Sequence, residues 1–105
     1  EELLDALGLA SFADRLPDEC SLGEQQRTAL ARALVCGPRL FLADEPTGHQ
    51  DASWGTAVLQ TMRAACSTGT TCFVATHNKE LLEFADRVLA IHDGEIVQPK
   101  GVGPV

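Results

Sequence analysis

The chain has 105 residues, 45% hydrophobic and 22% charged, the make-up of one small globular domain with a modest core. Against 8 basic side chains stand 15 acidic ones, a formal net charge of -7 with no basic cluster, which excludes a nucleic-acid footprint. No apolar run approaches the roughly 18 residues of a membrane span, no signal peptide is expected ahead of the first helix, and Cys20, Cys36, Cys66 and Cys72 form no C-x-x-C pair. The cysteines read as small buried side chains of a reducing compartment, neither a metal site nor a disulfide frame.

Residues 1–9 place Leu3, Leu4 and Leu7 at helical spacing with Gly8 as C-cap, which predicts a short opening helix. That pattern is already running at Glu1, and the sole methionine is Met62, so the chain is expected to be part of a longer protein. Residues 11–16 predict a further turn or two, stopped by Pro17. Ser21 stands at an N-cap with Glu24 three residues on, the spacing of a capping box. The helix that follows carries Ala29, Leu30, Ala33 and Leu34 on one face and ends at Gly37-Pro38.

Leu40, Phe41, Leu42 and Ala43 form an apolar run, expected as a strand buried on both faces of a parallel sheet. Residues 52–67 predict a helix with Val58, Leu59, Met62 and Ala65 inward, broken by Gly69. Residues 70–76 predict a second buried strand, rich in β-branched side chains, and residues 79–84 a short helix. Residues 87–92 predict a third strand, turned back by Asp93-Gly94 into an antiparallel return over residues 95–97. The tail from Gln98 carries two prolines and two glycines and is expected to be loose. Strands alternating with helices give an α/β class with a mainly parallel sheet.

The chemistry gathers at residues 39–51, R-L-F-L-A-D-E-P-T-G-H-Q-D. Asp44 and Glu45 sit at the carboxyl end of the first strand, and Pro46 forbids its continuation. Ligands of open α/β sheets bind at that edge. An acidic pair there can hold Mg²⁺ and activate water beside a phosphate, and it can equally be a solvated acidic turn.

Three further segments weigh on that choice: a helix opening S-x-G-E-Q-Q-R, the loop T-G-H-Q-D, and a strand ending A-T-H. Their order and spacing around L-F-L-A-D-E-P resemble the C-terminal half of an ATP-binding-cassette (ABC) ATPase, nearest to the lipoprotein-release, macrolide-efflux and cell-division exporters. The resemblance runs to about Val97 and implies a partial P-loop NTPase core with a C-terminal β-hairpin and no phosphate-loop strand. It implies the end of a helical subdomain in residues 1–20, the core in 21–97, and a flexible tail in 98–105. Asp44 would then serve the Mg²⁺ shell through water, and Glu45 would be the general base on the attacking water. His77 would hydrogen-bond the γ-phosphate. Ser21, Gly23 and Glu24 at the helix N-terminus would grip ATP bound by the opposite subunit, and Asp51 would close the loop that passes between subunits. The implied partners are a second ATPase subunit, in head-to-tail dimerisation, and a membrane permease, with the protein cytoplasmic and peripheral on the inner face of the membrane. A non-transport ABC ATPase of the structural, translation or repair type is the alternative, as is a degenerate partner that dimerises without hydrolysing.

Two departures and one absence qualify the match. The signature, usually L-S-G-G-Q or L-S-G-G-E, reads C-S-L-G-E, with Leu22 where the family has glycine; Gln50 stands where leucine is usual. No G-x-x-x-x-G-K-[ST] loop exists, and the only lysines, Lys79 and Lys100, follow no glycine. The chain alone is therefore expected to be catalytically dead, since nothing cradles the α- and β-phosphates. His49, His92 and Trp54 read as structural or surface residues.

Overall fold

The computed structural model describes residues 2–9, 16 and 20–97. The opening helix α1 (Glu2–Ala6) is followed by a turn through Gly8, whose φ of 70° is the left-handed conformation that glycine adopts freely. The turn expected over residues 11–16 and the loose tail lie outside the described residues, apart from exposed Leu16.

Helix α2 (Leu22–Leu34) begins at the expected capping box: the Glu24 N–H donates to Ser21 Oγ over 3.1 Å, and the Ser21 N–H donates to Glu24 Oε1 over 2.9 Å. Its buried stripe is Gly23, Arg27, Leu30, Ala31 and Leu34, while Ala29 and Ala33 are exposed. The inward face is thus rotated from the expected one. Positions 23, 27, 30, 31 and 34 obey the helical repeat, and a buried arginine occupies a place that an apolar count passes over. Gly37, at φ 60°, turns the chain into β1 (Leu40–Asp44).

Helix α3 (Ala52–Ser67) has the expected bounds, with Val58, Leu59 and Met62 buried beside Thr61 and with Ala65 packed at the core margin. It returns the chain to β2 (Thr71–Ala75), parallel to β1 with Leu40 opposite Thr71 and Asp44 opposite Ala75. The pair is fastened at its start by the Thr71 N–H donating to Arg39 O at 2.8 Å and by buried Thr70, whose hydroxyl donates to Pro38 O at 2.6 Å. Residues 79–84 form a 3-10 helix (Lys79–Phe84), closing on α3 through the exposed bidentate pair of Arg63 with Asp86. That guanidinium holds the Asp86 carboxyl below its usual range, first by hydrogen bonding and then by charge. Last comes the hairpin of β3 (Ala90–His92) and β4 (Glu95–Val97), whose turn residues Asp93 and Gly94 both have positive φ, as a tight D-G turn requires.

The core lies on one side of the β1–β2 pair, where Leu7, Leu9, Leu30, Ala31, Leu34, Phe41, Val58 and Met62 form one cluster. The other side is open. Leu42 is 68% exposed and Phe73 62%, so neither strand is buried on both faces as its apolar run suggested. Alternate side chains of a strand leave on opposite faces, and the helices here cover only the face of Phe41, Ala43, Cys72 and Val74. The cysteines are also less buried than expected: Cys36 is exposed, and Cys20, Cys66 and Cys72 are half-buried, all four with free thiols. At Cys72, burial and then the neighbouring Cys66 push the thiol up to about 12.

Among the described residues the strands form two separate two-stranded sheets, β1–β2 and β3–β4, with no hydrogen bonding between β2 and β3. The third strand is shorter than expected and pairs only within its hairpin. A free strand edge beside an exposed apolar face is a template for association. The isolated 105-residue chain is expected to self-associate as concentration rises in sedimentation velocity, and Leu42→Thr with Phe73→Thr to reduce that association. A monodisperse, cooperatively unfolding monomer across the concentration range would contradict this.

Candidate functional site

Parallel pairing brings the carboxyl ends of β1 and β2 side by side, which sets Asp44 and Glu45 next to Thr76 and His77. The pairing continues one step past the strands, where the Glu45 N–H donates to Ala75 O at 2.8 Å. Glu45 then takes φ 47°, a left-handed conformation rare for a residue with a Cβ. Both its carboxylate oxygens are held across the strand ends. The Thr76 hydroxyl donates to Oε2 at 2.9 Å, and the His77 N–H donates to Oε1 at 2.7 Å. The His77 imidazole is exposed, so it is the backbone of His77 that fixes the carboxylate and the side chain that remains available.

Asp44 is exposed, and its carboxylate has no hydrogen-bond partner among the described residues. No group of three or more His, Cys, Asp or Glu able to hold a metal ion occurs among those residues. A single carboxylate suits Mg²⁺, which keeps most of its waters and takes one or two protein carboxylates together with phosphate oxygens.

The loop after Glu45 folds against the first turn of α2. Gly48 N–H donates to Glu45 O at 3.0 Å and Gln50 N–H to Thr47 O at 3.2 Å, a compact double turn. Asp51 ends the loop as the N-cap of α3, its carboxylate accepting from the Trp54 N–H at 2.9 Å. Ser21 and Glu24 are occupied by the capping box, and Leu22 beside them is 61% exposed. Gly23 is buried against the loop: a Cβ there would lie 2.7 Å from His49 O. Its lack of a side chain therefore serves a contact inside this chain, besides any approach to phosphate.

The site thus unites Glu45 with His77 directly, and ties α2 to the loop after β1 through Gln26 and Arg27, which sequence reasoning passed over. Gln26 Nε2 donates to Glu45 O at 3.0 Å, and Arg27 Nη1 donates to Gln50 Oε1 at 2.6 Å. Arg27 also donates from Nε to Leu7 O at 2.9 Å and lies 4.2 Å over the Trp54 ring, which gives that residue a packing role. The signal was present in the helical repeat, since positions 23, 26, 27 and 30 share one face of α2.

In sequence and overall fold the chain is similar to known proteins. A family model described as "ABC transporter" matches residues 1–48. The lipoprotein-releasing system ATP-binding protein LolD 2 of Caulobacter vibrioides is 48% identical over 90% of this chain and 42% of its own length. A dimeric bacterial ABC transporter cassette superposes with a TM-score of 0.83 at 36% identity, over 92% of this chain and 43% of that one. The chain thus resembles ABC ATPases in sequence and in fold over most of its length. A macrolide export ATP-binding/permease protein of Rhodospirillum rubrum is 41% identical over 94% of the chain, which covers 15% of that relative. Another solved state of the same cassette, described as post-hydrolysis with ADP and Pi bound, has the same TM-score of 0.83. The chain spans less than half the length of these relatives, and its α/β fold is that of part of an ABC cassette.

The close approach at Gly23 is testable. Gly23→Ala is expected to force the loop off α2 and to lower stability by about 1–3 kcal/mol, read as a fall in the urea midpoint. An unchanged midpoint would show that the loop yields without cost.

Proposed function

We propose that this chain is the C-terminal half of the nucleotide-hydrolysing cassette of a membrane transporter. Residues 1–20 end its helical subdomain, 21–97 complete its catalytic core and 98–105 form a tail. One observation carries the reading: the Glu45 carboxylate is held at the end of β1 by the Thr76 hydroxyl and the His77 N–H, beside an exposed Asp44. A carboxylate fixed at both oxygens on a strand end is oriented to accept a proton from water at the sheet's carboxyl edge, where such folds bind ligands.

In this mechanism Glu45 takes the proton of the attacking water, and its two donors keep it from swinging away. The His77 imidazole, on the residue whose N–H holds Glu45, hydrogen-bonds the γ-phosphate and so links phosphate occupancy to the base. Mg²⁺, when bound, neutralises charge on the β- and γ-phosphates, and Asp44 would hold it through water. Ser21, Gly23 and Glu24 present the N-terminal turn of α2 to ATP on a second subunit, with Asp51 at the close of the intervening loop. The solved relative is dimeric, which supports a second subunit; its head-to-tail placement is part of the proposal. The relatives named ATP-binding/permease proteins support a membrane partner, which would place this half on the cytoplasmic face. No helix among the described residues is long and apolar enough to cross a membrane. The sequence has no phosphate loop, so this half hydrolyses ATP only when joined to one.

The test uses a complete cassette, this chain joined to the upstream half of the lipoprotein-releasing relative. Glu45→Gln is expected to keep ATP binding and to lose on the order of 10²–10⁴-fold in turnover. Near-normal hydrolysis would remove Glu45 from its role.

Leu22 adds a second expectation. Its side chain stands exposed at the first residue of α2, where amides must come within hydrogen-bond distance of a phosphate across the interface. If it holds the subunits apart, one charge-assisted bond worth about 1.5–3 kcal/mol is weakened. Leu22→Gly is then expected to raise ATP turnover and nucleotide-dependent dimerisation about tenfold. No change would show that the leucine is accommodated.

A further inference from the structure

Gln50 has no part in that chemistry, yet its side-chain amide is bonded at both ends. Oε1 accepts from Arg27 Nη1 at 2.6 Å, and Nε2 donates to Gly23 O at 2.9 Å and to Gln26 Oε1 at 2.7 Å. Gln26 is held in its turn: its Oε1 also accepts from the His49 N–H at 3.4 Å, and its Nε2 donates to Glu45 O at 3.0 Å. The bonds run without a break from Gly23 through Gln50 and Gln26 to the carbonyl of Glu45. Leucine, close to glutamine in size, would fill the same space and make none of them.

The position of this chain of bonds gives it consequence. Glu45 sits at φ 47°, and a residue in that region persists only where its surroundings over-determine it. Its N–H and carboxylate are fixed by β2 and the residues after it, and its carbonyl by Gln26 and Gly48. Gln50 sets the orientation of Gln26 and so completes the frame on the carbonyl side. Its donor end grips the backbone of Gly23 in the first turn of α2.

We propose that Gln50 is a positioning residue that fastens residues 45–50 to the N-terminal turn of α2 within one chain, so that the helix end and the Glu45 carboxylate move as one body. The proposal rests on the role given to Glu45 under Proposed function. The phosphate-facing helix end and the water-activating carboxylate are thereby set together, and displacement of one is transmitted to the other through the paired amides of Gln50 and Gln26.

The experiment compares Gln50→Leu and Gln50→Glu with the parent complete cassette, by amide hydrogen exchange and by steady-state ATP hydrolysis. Gln50→Leu removes every bond from the amide. It is expected to speed exchange of the 48–51 amides about tenfold and to lower kcat about tenfold with the KM for ATP unchanged. Gln50→Glu keeps the acceptor for Arg27 but loses the donor to Gly23 and Gln26, and is expected to fall between parent and Gln50→Leu on both readouts. Exchange within twofold of the parent in Gln50→Leu would overturn the proposal, whatever happens to kcat. Faster exchange with kcat unchanged would overturn the link to Glu45. A parent cassette that binds but does not hydrolyse ATP would defeat the hydrolytic reading instead, and the exchange comparison would still decide whether Gln50 fastens the loop.

Discussion

A buried guanidinium with only neutral acceptors is the constraint on which this arrangement depends. Arg27 is 5% exposed, and among the described residues no carboxylate pairs with it. Removing a charge from water is costly unless its donors are used, and here they are used on Leu7 O and Gln50 Oε1, with the Trp54 ring beneath. Those three contacts reach the turn after α1, the loop after β1 and the first turn of α3. One side chain therefore indexes three segments against α2. Its planar fork is what reaches two acceptors while stacking on an indole, a geometry that lysine cannot reproduce. The glycines nearby follow from the same crowding: a Cβ on Gly8 would collide with the Trp54 ring, and one on Gly23 with the loop carbonyl.

Much of this was legible in the sequence where local rules act alone. The capping box at Ser21 and Glu24, the bounds of α3, the D-G turn and the acidic strand end all depend on residues close in sequence. What escaped depends on contacts between distant residues. An apolar count placed the inward face of α2 on Ala29 and Ala33, because it gave no weight to an arginine whose charge is satisfied by residues some twenty positions away. Gln50 was legible only as a departure from an apolar position, since its partners at Gly23, Gln26 and Arg27 are set by tertiary packing. In sequence Thr76 reads as the end of a strand, while its hydroxyl is one of two donors to the Glu45 carboxylate.

The buried-strand expectation failed for a different reason. Apolar runs report what a strand can bury, and Leu40, Leu42 and Phe73 can bury a second face; the helices described here supply cover for one. The open face and the free edge of β2 lie on the part of the sheet that these residues leave uncovered. The residues that hold the Glu45 carboxylate are likewise present in a sequence with no G-x-x-x-x-G-K-[ST] loop.

The left-handed backbone at Glu45 has a consequence for how this position can change over time. Such a conformation costs a residue with a Cβ about 1 kcal/mol or more, while glycine and asparagine adopt it with little penalty. Selection for folding alone would therefore drift position 45 towards those two residues and away from the acid. The glutamate that stands there is a residue backbone preference alone would not choose. A library screened only for thermal tolerance would be expected to erode this position early.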